Sequence, residues 1–282
     1  MTMSNQLELP EIETLRRDLE REIAGRKIKS TDVKSLKSLP RHRTKKAFAE
    51  NLEGAKINIV ERHGLFIVIQ LNNEHSLVIE LGPNGRLQKC ASKTKPDADI
   101  VITITFTQGG DLRIADKDGS TKVSVVSEEE FSEVVPPEEE RGLDLLVRPI
   151  SWIEFGRLVL KRREPLKVLL TDPKVFVGIG PVYSDEILFD AVLKYDRPAD
   201  SLSMQELRRL YRSVVGILHD AIKYRGVSLE SRPFFDLAGN PGEYTDHLAV
   251  YGKAGELSPR SRLPLRKAQF KGQTVYFCET QV

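Results

Sequence analysis

The chain has 282 residues, of which 40% are hydrophobic and 30% are charged, and its formal net charge is +2. This composition is typical of a globular protein of one or two domains that buries a sizeable core. Its two cysteines, Cys90 and Cys278, are too few for a disulfide framework or for a four-cysteine zinc site. No apolar run approaches the ~20 residues that cross a bilayer, and the start carries no signal-peptide core. We therefore expect no membrane partner and a reducing, cytoplasmic location.

Charged residues are concentrated in two clusters. A basic cluster occupies residues 41–46, and an acidic cluster of seven glutamates spans residues 128–140 around Pro136 and Pro137. Blocks of like charge usually lie in solvated, mobile segments, so we place an interdomain linker in the acidic cluster.

The predicted elements change in kind along the chain. The first is an amphipathic helix over residues 9–24, with Pro10 in its first turn and Gly25 as its stop. Short β-rich runs separated by turn residues follow to about residue 126, and they predict an antiparallel sandwich or barrel. From about residue 144 the pattern is helical, and residues 248–282 alternate like a β-hairpin. The predicted fold class is therefore α+β.

Three separated motifs resemble one protein family. Residues 7–14 read LELPEIET, which is similar to the Pro-Glu-Leu-Pro-Glu-Val-Glu-Thr start of the Fpg/Nei family of DNA glycosylases. Residues 166–172 and 177–186 resemble that family's helix–two-turns–helix DNA-binding motif. Residues 236–255 resemble the entry to its C-terminal zinc finger.

The resemblance implies a two-domain clamp on nucleic acid. It predicts an N-terminal helix with an antiparallel β-sandwich, followed by a helical helix–two-turns–helix domain and a β-hairpin finger. We place the sandwich domain at residues 1–135, the helix–two-turns–helix domain at residues 136–247 and the finger at residues 248–282.

Leucine occupies the position that matches the family's nucleophile. Family members attack the sugar C1′ with the α-amine of an N-terminal proline and form a Schiff base. Here Met1–Gln6 precede Leu7, so the nitrogen of Leu7 is a peptide amide without an available lone pair. Removal of the initiator Met would expose Thr2 instead. We therefore expect Leu7, Glu8 and Glu11 to be catalytic remnants, with Glu8, which matches the family's acid/base, left without a partner.

Several positions that match the family's phosphate contacts are also altered. Leu65, Glu80, Pro181 and Gln273 stand where the family usually carries Lys, His, Asn and Arg. Losing such contacts weakens nucleic-acid binding, because phosphate contacts dominate its affinity. Lys167 keeps its place as the best surviving phosphate contact, unless it is only a solvated surface lysine. The resemblance assigns nucleic-acid binding to Lys167, Gly178, Ile179, Gly180, Tyr183 and Gln273.

The finger does not carry the family's two Cys-x-x-Cys pairs. Ser258 and Ser261 stand in place of the first pair, and Cys278 and Gln281 stand in place of the second. One sulfur in four ligand positions does not bind zinc. We expect a zincless finger held by packing, and no metal or cofactor.

The sequence is compatible with two functions. The first is a catalytically degenerate family member that keeps a clamp for weakened DNA binding or for a protein partner. The alternative is an active base-excision DNA glycosylase or AP lyase that acts on oxidised bases with a non-proline nucleophile or an activated water. Glu8 or Glu11 would activate that water. Proteolytic removal of residues 1–6, which would free the amine of Leu7, is a third route to activity.

Overall fold

The computed structural model describes residues 6–282. Residues 1–5, which make up most of the segment considered for processing, lie outside the described residues. The chain forms two compact units. The β unit contains residues 10–138 and 225–243, and the helical unit contains residues 139–224 and 244–282 together with the segment that ends at Leu9. The three-domain division at residues 135 and 247 stays a prediction.

The β unit contains two four-stranded antiparallel sheets and three helices. The helices are α1 (Leu9–Ile23), whose first residue belongs to the helical unit, α2 (Lys45–Glu50) and α3 (Phe131–Val134). The strands are β1 (Ile28–Val33), β2 (Ile57–His63), β3 (Phe66–Leu71), β4 (His75–Glu80), β5 (Gly85–Cys90), β6 (Ile100–Phe106), β7 (Asp111–Asp116) and β8 (Lys122–Ser127). One sheet has the order β1-β6-β7-β5 and the other has the order β2-β3-β4-β8.

The strands follow the alternation that the sequence predicts. Along β6, the side chains of Ile100, Ile102, Ile104 and Phe106 are buried, whereas the residues between them are partly exposed. A period of two places alternate side chains on opposite faces, so one face of the strand supplies the core. The prediction of an antiparallel β-sandwich is confirmed.

Helix α1 is also amphipathic, as predicted, and ends at Ile23, one residue before the predicted end at residue 24. Its apolar side chains at Ile12, Leu15, Leu19 and Ile23 are at most 2% exposed. A stripe repeating every three or four residues lies on one helical face, so burying it anchors the helix in the core.

The basic and acidic clusters of the sequence meet within the β unit. The Arg41 guanidinium lies 2.7 Å from Glu133 and 3.6 Å from Glu130. Opposite charges at these distances partly neutralise each other, so the basic cluster offers less free charge than its sequence suggests.

Among its described residues, the helical unit contains four α-helices and a terminal hairpin. The helices are α4 (Trp152–Val159), α5 (Leu166–Leu170), α6 (Pro181–Asp190) and α7 (Met204–Lys223), and the hairpin strands are β9 (Arg266–Phe270) and β10 (Gln273–Phe277). Capping boxes at Ser151 and Ser203 begin α4 and α7. All residues of α6 from Pro181 to Phe189 are buried, so α6 is the central helix of this unit.

Short 3₁₀ turns occur in both units, at Leu36–Ser38, Glu138–Glu140, Ala199–Ser201 and Tyr244–His247. The segment around Asp236, which resembles the entry to the finger, instead packs in the β unit, where the Lys89 N–H donates to the Leu237 carbonyl at 2.9 Å. Among the helices of residues 6–282, none has the length and apolar character needed to span a membrane.

Candidate functional site

The carboxylate of Glu8 lies at the N-terminus of α6. One oxygen, Oε2, accepts the N–H groups of Gly180 at 2.7 Å and Tyr183 at 3.2 Å, and Oε1 accepts the N–H of Val182 at 3.0 Å. The side chain is 2% exposed. These N–H groups have no acceptor inside the helix, and the positive end of the helix dipole favours an anion. The expectation that Glu8 lacks a partner is wrong, because the carboxylate caps α6.

The close approach of Glu8 explains the glycine at position 180. A Cβ built on Gly180 would lie 2.6 Å from the Cδ of Glu8, inside the contact limit of real side chains. Gly178 has a φ of 61°, which favours glycine, and its carbonyl accepts the Leu9 N–H at 2.8 Å. The nucleic-acid contact assigned to Gly180 is not available through its N–H, because the Glu8 carboxylate accepts that N–H.

Glu11 is held by backbone in a similar way, within the β unit. Its side chain is fully buried, and Oε1 accepts the N–H of Val227 at 2.8 Å. The adjacent Gly226 has a φ of 81°, and a Cβ there would lie 2.9 Å from the Cγ of Glu11. A buried carboxylate needs such donors, since leaving it unpaired is very costly.

Lys167 is buried in the helical unit. Its ammonium donates to Asp185 at 2.5 Å, to Ser184 Oγ at 2.7 Å and to the Pro181 carbonyl at 3.0 Å. The residue is 0% exposed, and three acceptors satisfy the three N–H groups of an ammonium. Both predictions for Lys167, a phosphate contact and a solvated surface lysine, are contradicted. The ammonium is buried, and its three N–H groups donate to acceptors on α6, so the side chain holds α5 against α6.

The remaining predicted binding residues differ in burial. Ile179 is 2% exposed and Tyr183 is 0% exposed, and the Tyr183 ring lies 5.9 Å from that of Tyr244, so both are core residues. Gln273 is partly buried and donates from Nε2 to Thr171 Oγ1 at 3.3 Å. Its Oε1 is buried without a hydrogen-bond partner among the described residues. A nucleic-acid contact by Gln273 stays a prediction.

The altered phosphate positions have local explanations in the fold. Glu80 on β4 faces Lys122 on β8, and their charged groups lie 3.0 Å apart. Leu65 lies half-buried in the turn between β2 and β3. Pro181 is the first residue of α6, where a missing N–H costs nothing. Each replacement is therefore compatible with the scaffold.

The four positions that match a zinc site converge in space but do not fit the metal. Ser261 Oγ lies 3.1 Å from Cys278 Sγ, Thr280 Oγ1 donates to the same sulfur at 3.3 Å, and Gln281 Oε1 accepts the Cys278 N–H at 2.7 Å. Burial raises the pKa of the Cys278 thiol, but hydrogen bonds from Ser261 and Thr280 outweigh this effect and lower the pKa to about 7. Two hydroxyls, an amide and one sulfur are not a zinc ligand set.

Sequence reasoning missed a second carboxylate that organises the helical unit. Glu186 on α6 accepts the N–H groups of Ala249, Val250 and Tyr251 at 2.8–2.9 Å. Burial raises its pKa, and these three donors act in the opposite direction. The only signal in the sequence was an acidic pair, Asp185-Glu186, inside an otherwise apolar helix.

Comparisons with known proteins cover nearly the whole chain. Residues 7–123 match the formamidopyrimidine-DNA glycosylase N-terminal domain, and residues 142–232 match the formamidopyrimidine-DNA glycosylase H2TH domain. The formamidopyrimidine-DNA glycosylase of Pelotomaculum thermopropionicum is 31% identical over 278 residues, which make up 97% of this chain and 98% of the relative.

Solved structures agree with the sequence matches. The MutM (Fpg) protein from Thermus thermophilus has a TM-score of 0.82 at 28% identity and covers 97% of both chains. Lactococcus lactis Fpg, in complex with an abasic site containing DNA, has a TM-score of 0.84 at 24% identity and covers 96% of this chain and 97% of that one. The motifs, the fold and these matches agree, and the chain belongs to the Fpg/Nei family of DNA glycosylases.

Proposed function

We propose that this chain is a base-excision DNA glycosylase that binds DNA and releases damaged, oxidised bases. The observation that carries the proposal is the placement of Glu8. This carboxylate matches the family's acid/base, and three backbone N–H groups hold it in one position. Relatives named formamidopyrimidine-DNA glycosylase at up to 31% identity over 97% of the chain support the same reading.

The replacement of proline by Leu7 points to hydrolysis rather than an imine. The nitrogen of Leu7 is bonded to the carbonyl of Gln6, so it has no electron pair to give to C1′. In the hydrolytic route, the oxygen of a water bonds to C1′ and the C1′–N bond to the base breaks. A carboxylate, Glu8 or Glu11, accepts the proton of the water and releases it to solvent, and solvent supplies one proton to the departing base. The products are a free base and an abasic site in an uncut strand.

The test is excision on duplexes that carry oxidised bases, with borohydride present in a parallel reaction. We expect free base and alkali-sensitive abasic sites, no strand cleavage before alkali, and no trapped covalent complex. Glu8→Gln and Glu11→Gln are tested separately, and loss of excision in one of them identifies the acting carboxylate. Glu206→Gln, which alters the capping box of α7, is the matched control for loss of a helix-capping carboxylate.

Borohydride trapping of wild-type protein would contradict the hydrolytic route in favour of an amine nucleophile and lyase activity. Intact mass spectrometry then shows whether residues 1–6 have been removed.

The second candidate is a catalytically degenerate clamp. It is favoured by the number of family cations that this chain lacks or buries, since Leu65, Glu80 and Gln273 supply no cation and Lys167 is enclosed. A purified protein that binds abasic-site DNA but releases no base from any oxidised duplex would establish this candidate. A protein that binds no DNA at 50 mM salt would direct attention to a protein partner.

We also propose that the finger folds without zinc and that the protein works in the reducing cytoplasm. Hydrogen bonds at Cys278 Sγ join the two segments of the finger that a metal would otherwise join. Both cysteines are free thiols, as is usual in a reducing compartment. Treatment with a strong chelator should leave the melting temperature and DNA binding unchanged. A chelator-induced drop in either quantity would overturn the zincless assignment.

A further inference from the structure

An unassigned cavity in the helical unit is lined by five cations. It has a volume of about 960 Å³ and lies between the end of α4, the loop that leads into α5 and the turn of the hairpin. Its cationic residues are Arg157, Lys161, Arg162, Arg163 and Lys271. We call this group the basic pocket.

The two carboxylates that line the basic pocket do not neutralise it. Glu154 is engaged with Ser151, whose N–H and Oγ each lie 2.9 Å from Oε2, and Glu164 lies 3.8 Å from Arg162. Arg163 is 94% exposed and lies 3.8 Å from Asp200. Within residues 6–282, no carboxylate lies within ion-pairing distance of Arg157, Lys161 or Lys271. Three cations of the pocket are therefore available to a ligand.

Helix capping and side-chain packing hold the walls of the basic pocket in place. The capping box at Ser151 fixes the start of α4, and Leu166, which is fully buried, fixes the start of α5. Lys271 and Gly272 form the two-residue turn of the hairpin, with φ values of 46° and 80°. Phe270 anchors that turn, because its ring packs edge-on to Tyr195 at 5.0 Å. A lysine at positive φ is an uncommon choice and puts a cation at the tip.

The composition of the basic pocket favours a phosphate backbone over single-stranded bases or an acidic peptide. Its lining contains no aromatic side chain on which a base would stack, and only Leu158 and Pro165 are apolar. Recognition of single-stranded bases uses stacking platforms, and peptide anchors use apolar pockets. Cations without either feature are suited to phosphate oxygens, which are contacted without regard to sequence.

We propose that the basic pocket binds the phosphate backbone of duplex DNA and replaces part of the charge that this chain lacks at Gln273 and encloses at Lys167. Gln273 lies two residues after Lys271 in the same hairpin. This proposal rests on the DNA binding included in the proposed function. It gives DNA a sequence-independent and lesion-independent contact outside the family's phosphate positions.

The test is a salt titration of binding to an undamaged duplex and to the same duplex with an abasic site. The triple variant Arg157→Gln, Lys161→Gln, Lys271→Gln removes the three unpaired cations, which are all exposed. Each lost phosphate contact lowers the slope of log affinity against log salt by ~0.9, so we expect a decrease of about 2–3 on both duplexes. Lys29→Gln, Lys34→Gln, Lys56→Gln is the control, because it removes the same charge from exposed positions of the β unit.

The outcomes separate the two proposals. If wild-type protein binds DNA and the triple variant keeps the full slope with unchanged circular dichroism, the pocket proposal is overturned and the proposed function stands. An equal loss in the control variant would also overturn it, because net charge alone would then account for the effect. Binding to poly-glutamate is measured in parallel. If the triple variant loses binding to poly-glutamate but binds DNA as wild type does, the pocket is assigned to an acidic protein instead. Absence of any DNA binding by wild-type protein overturns both proposals.

Discussion

The ammonium of Lys167 lies 2.5 Å from a carboxylate oxygen of Asp185, and both side chains are only 1% exposed. The other oxygen of Asp185 accepts the Tyr276 N–H at 2.9 Å, so this pair ties α5 and α6 to the hairpin. A buried ion pair of this kind stabilises the fold only while both partners are present, because either charge alone would be buried without a counter-ion.

Replacement of one partner should therefore destabilise the fold strongly. Lys167→Met leaves the Asp185 carboxylate buried without its counter-ion, and we expect a loss of about 3–5 kcal/mol in the free energy of unfolding. Lys167→Met combined with Asp185→Asn removes both charges and keeps an acceptor for Tyr276, so it should recover part of the loss. Urea denaturation of the wild type, the two single variants Lys167→Met and Asp185→Asn, and the double variant measures the coupling. Additive effects of the two substitutions would contradict the ion pair.

Gly180→Ala tests the contact between the α6 N-terminus and Glu8. The new Cβ would lie 2.6 Å from the Cδ of Glu8, and overpacking of this kind costs about 1–3 kcal/mol. Because φ at Gly180 is −106°, alanine meets no backbone strain and the loss reports the clash alone. Chemical denaturation measures it.

Gly216→Ala is the matched control for that experiment. It lies inside α7 with nothing within 4 Å of a new Cβ, so we expect stabilisation by roughly 0.5–1 kcal/mol. Equal effects at Gly180 and Gly216 would rule out the proposed clash.

Glu13 should make the stability of the β unit fall at low pH. Burial raises the pKa of Glu13, but hydrogen bonds from Arg16, Arg17 and Arg62 outweigh burial and lower the pKa from 4.5 to about 2. The resulting stability is fully present above pH 4.5 and is lost as the pH falls through about 2. We therefore expect Glu13→Gln to destabilise strongly at pH 6 and progressively less toward pH 2.

Unfolding free energies measured across this pH range test the Glu13 prediction. Glu129→Gln, at an exposed position, is the control and should differ little from wild type at any pH. A Glu13→Gln loss that stays constant down to pH 2 would show that the arginine contacts do not depend on its charge.

The convergence of the four finger positions predicts that a zinc site can be rebuilt. Ser258→Cys, Ser261→Cys and Gln281→Cys, added to the native Cys278, supply the four sulfurs that zinc requires. We expect one bound Zn²⁺ per chain and the visible absorption of tetrahedral thiolate coordination with Co²⁺. Wild-type protein should show neither signal, and one equivalent of zinc in purified wild-type protein would contradict the assignment.

Local patterns were sufficient to predict most of the fold. The three- and four-residue spacing of Ile12, Leu15, Leu19 and Ile23 predicted α1, and the two-residue alternation of Ile100–Phe106 predicted a strand with one buried face. Helical and strand periods are set by backbone geometry over a few residues, so a single sequence contains them. The family motifs added the order of the domains.

The chemistry available at each matched position was decided by tertiary structure. Glu8 accepts the Gly180 N–H from 172 residues away, and the Lys167 ammonium is shielded from solvent because Asp185 and Ser184 pack over it. The basic pocket likewise needs the chain from residue 157 to residue 165 to meet the hairpin turn at Lys271. Sequence by itself determined which groups are present, their charge and the family to which they belong. Their exposure and partners depend on long-range packing, because the cost of burying a charge is settled by the groups that surround it.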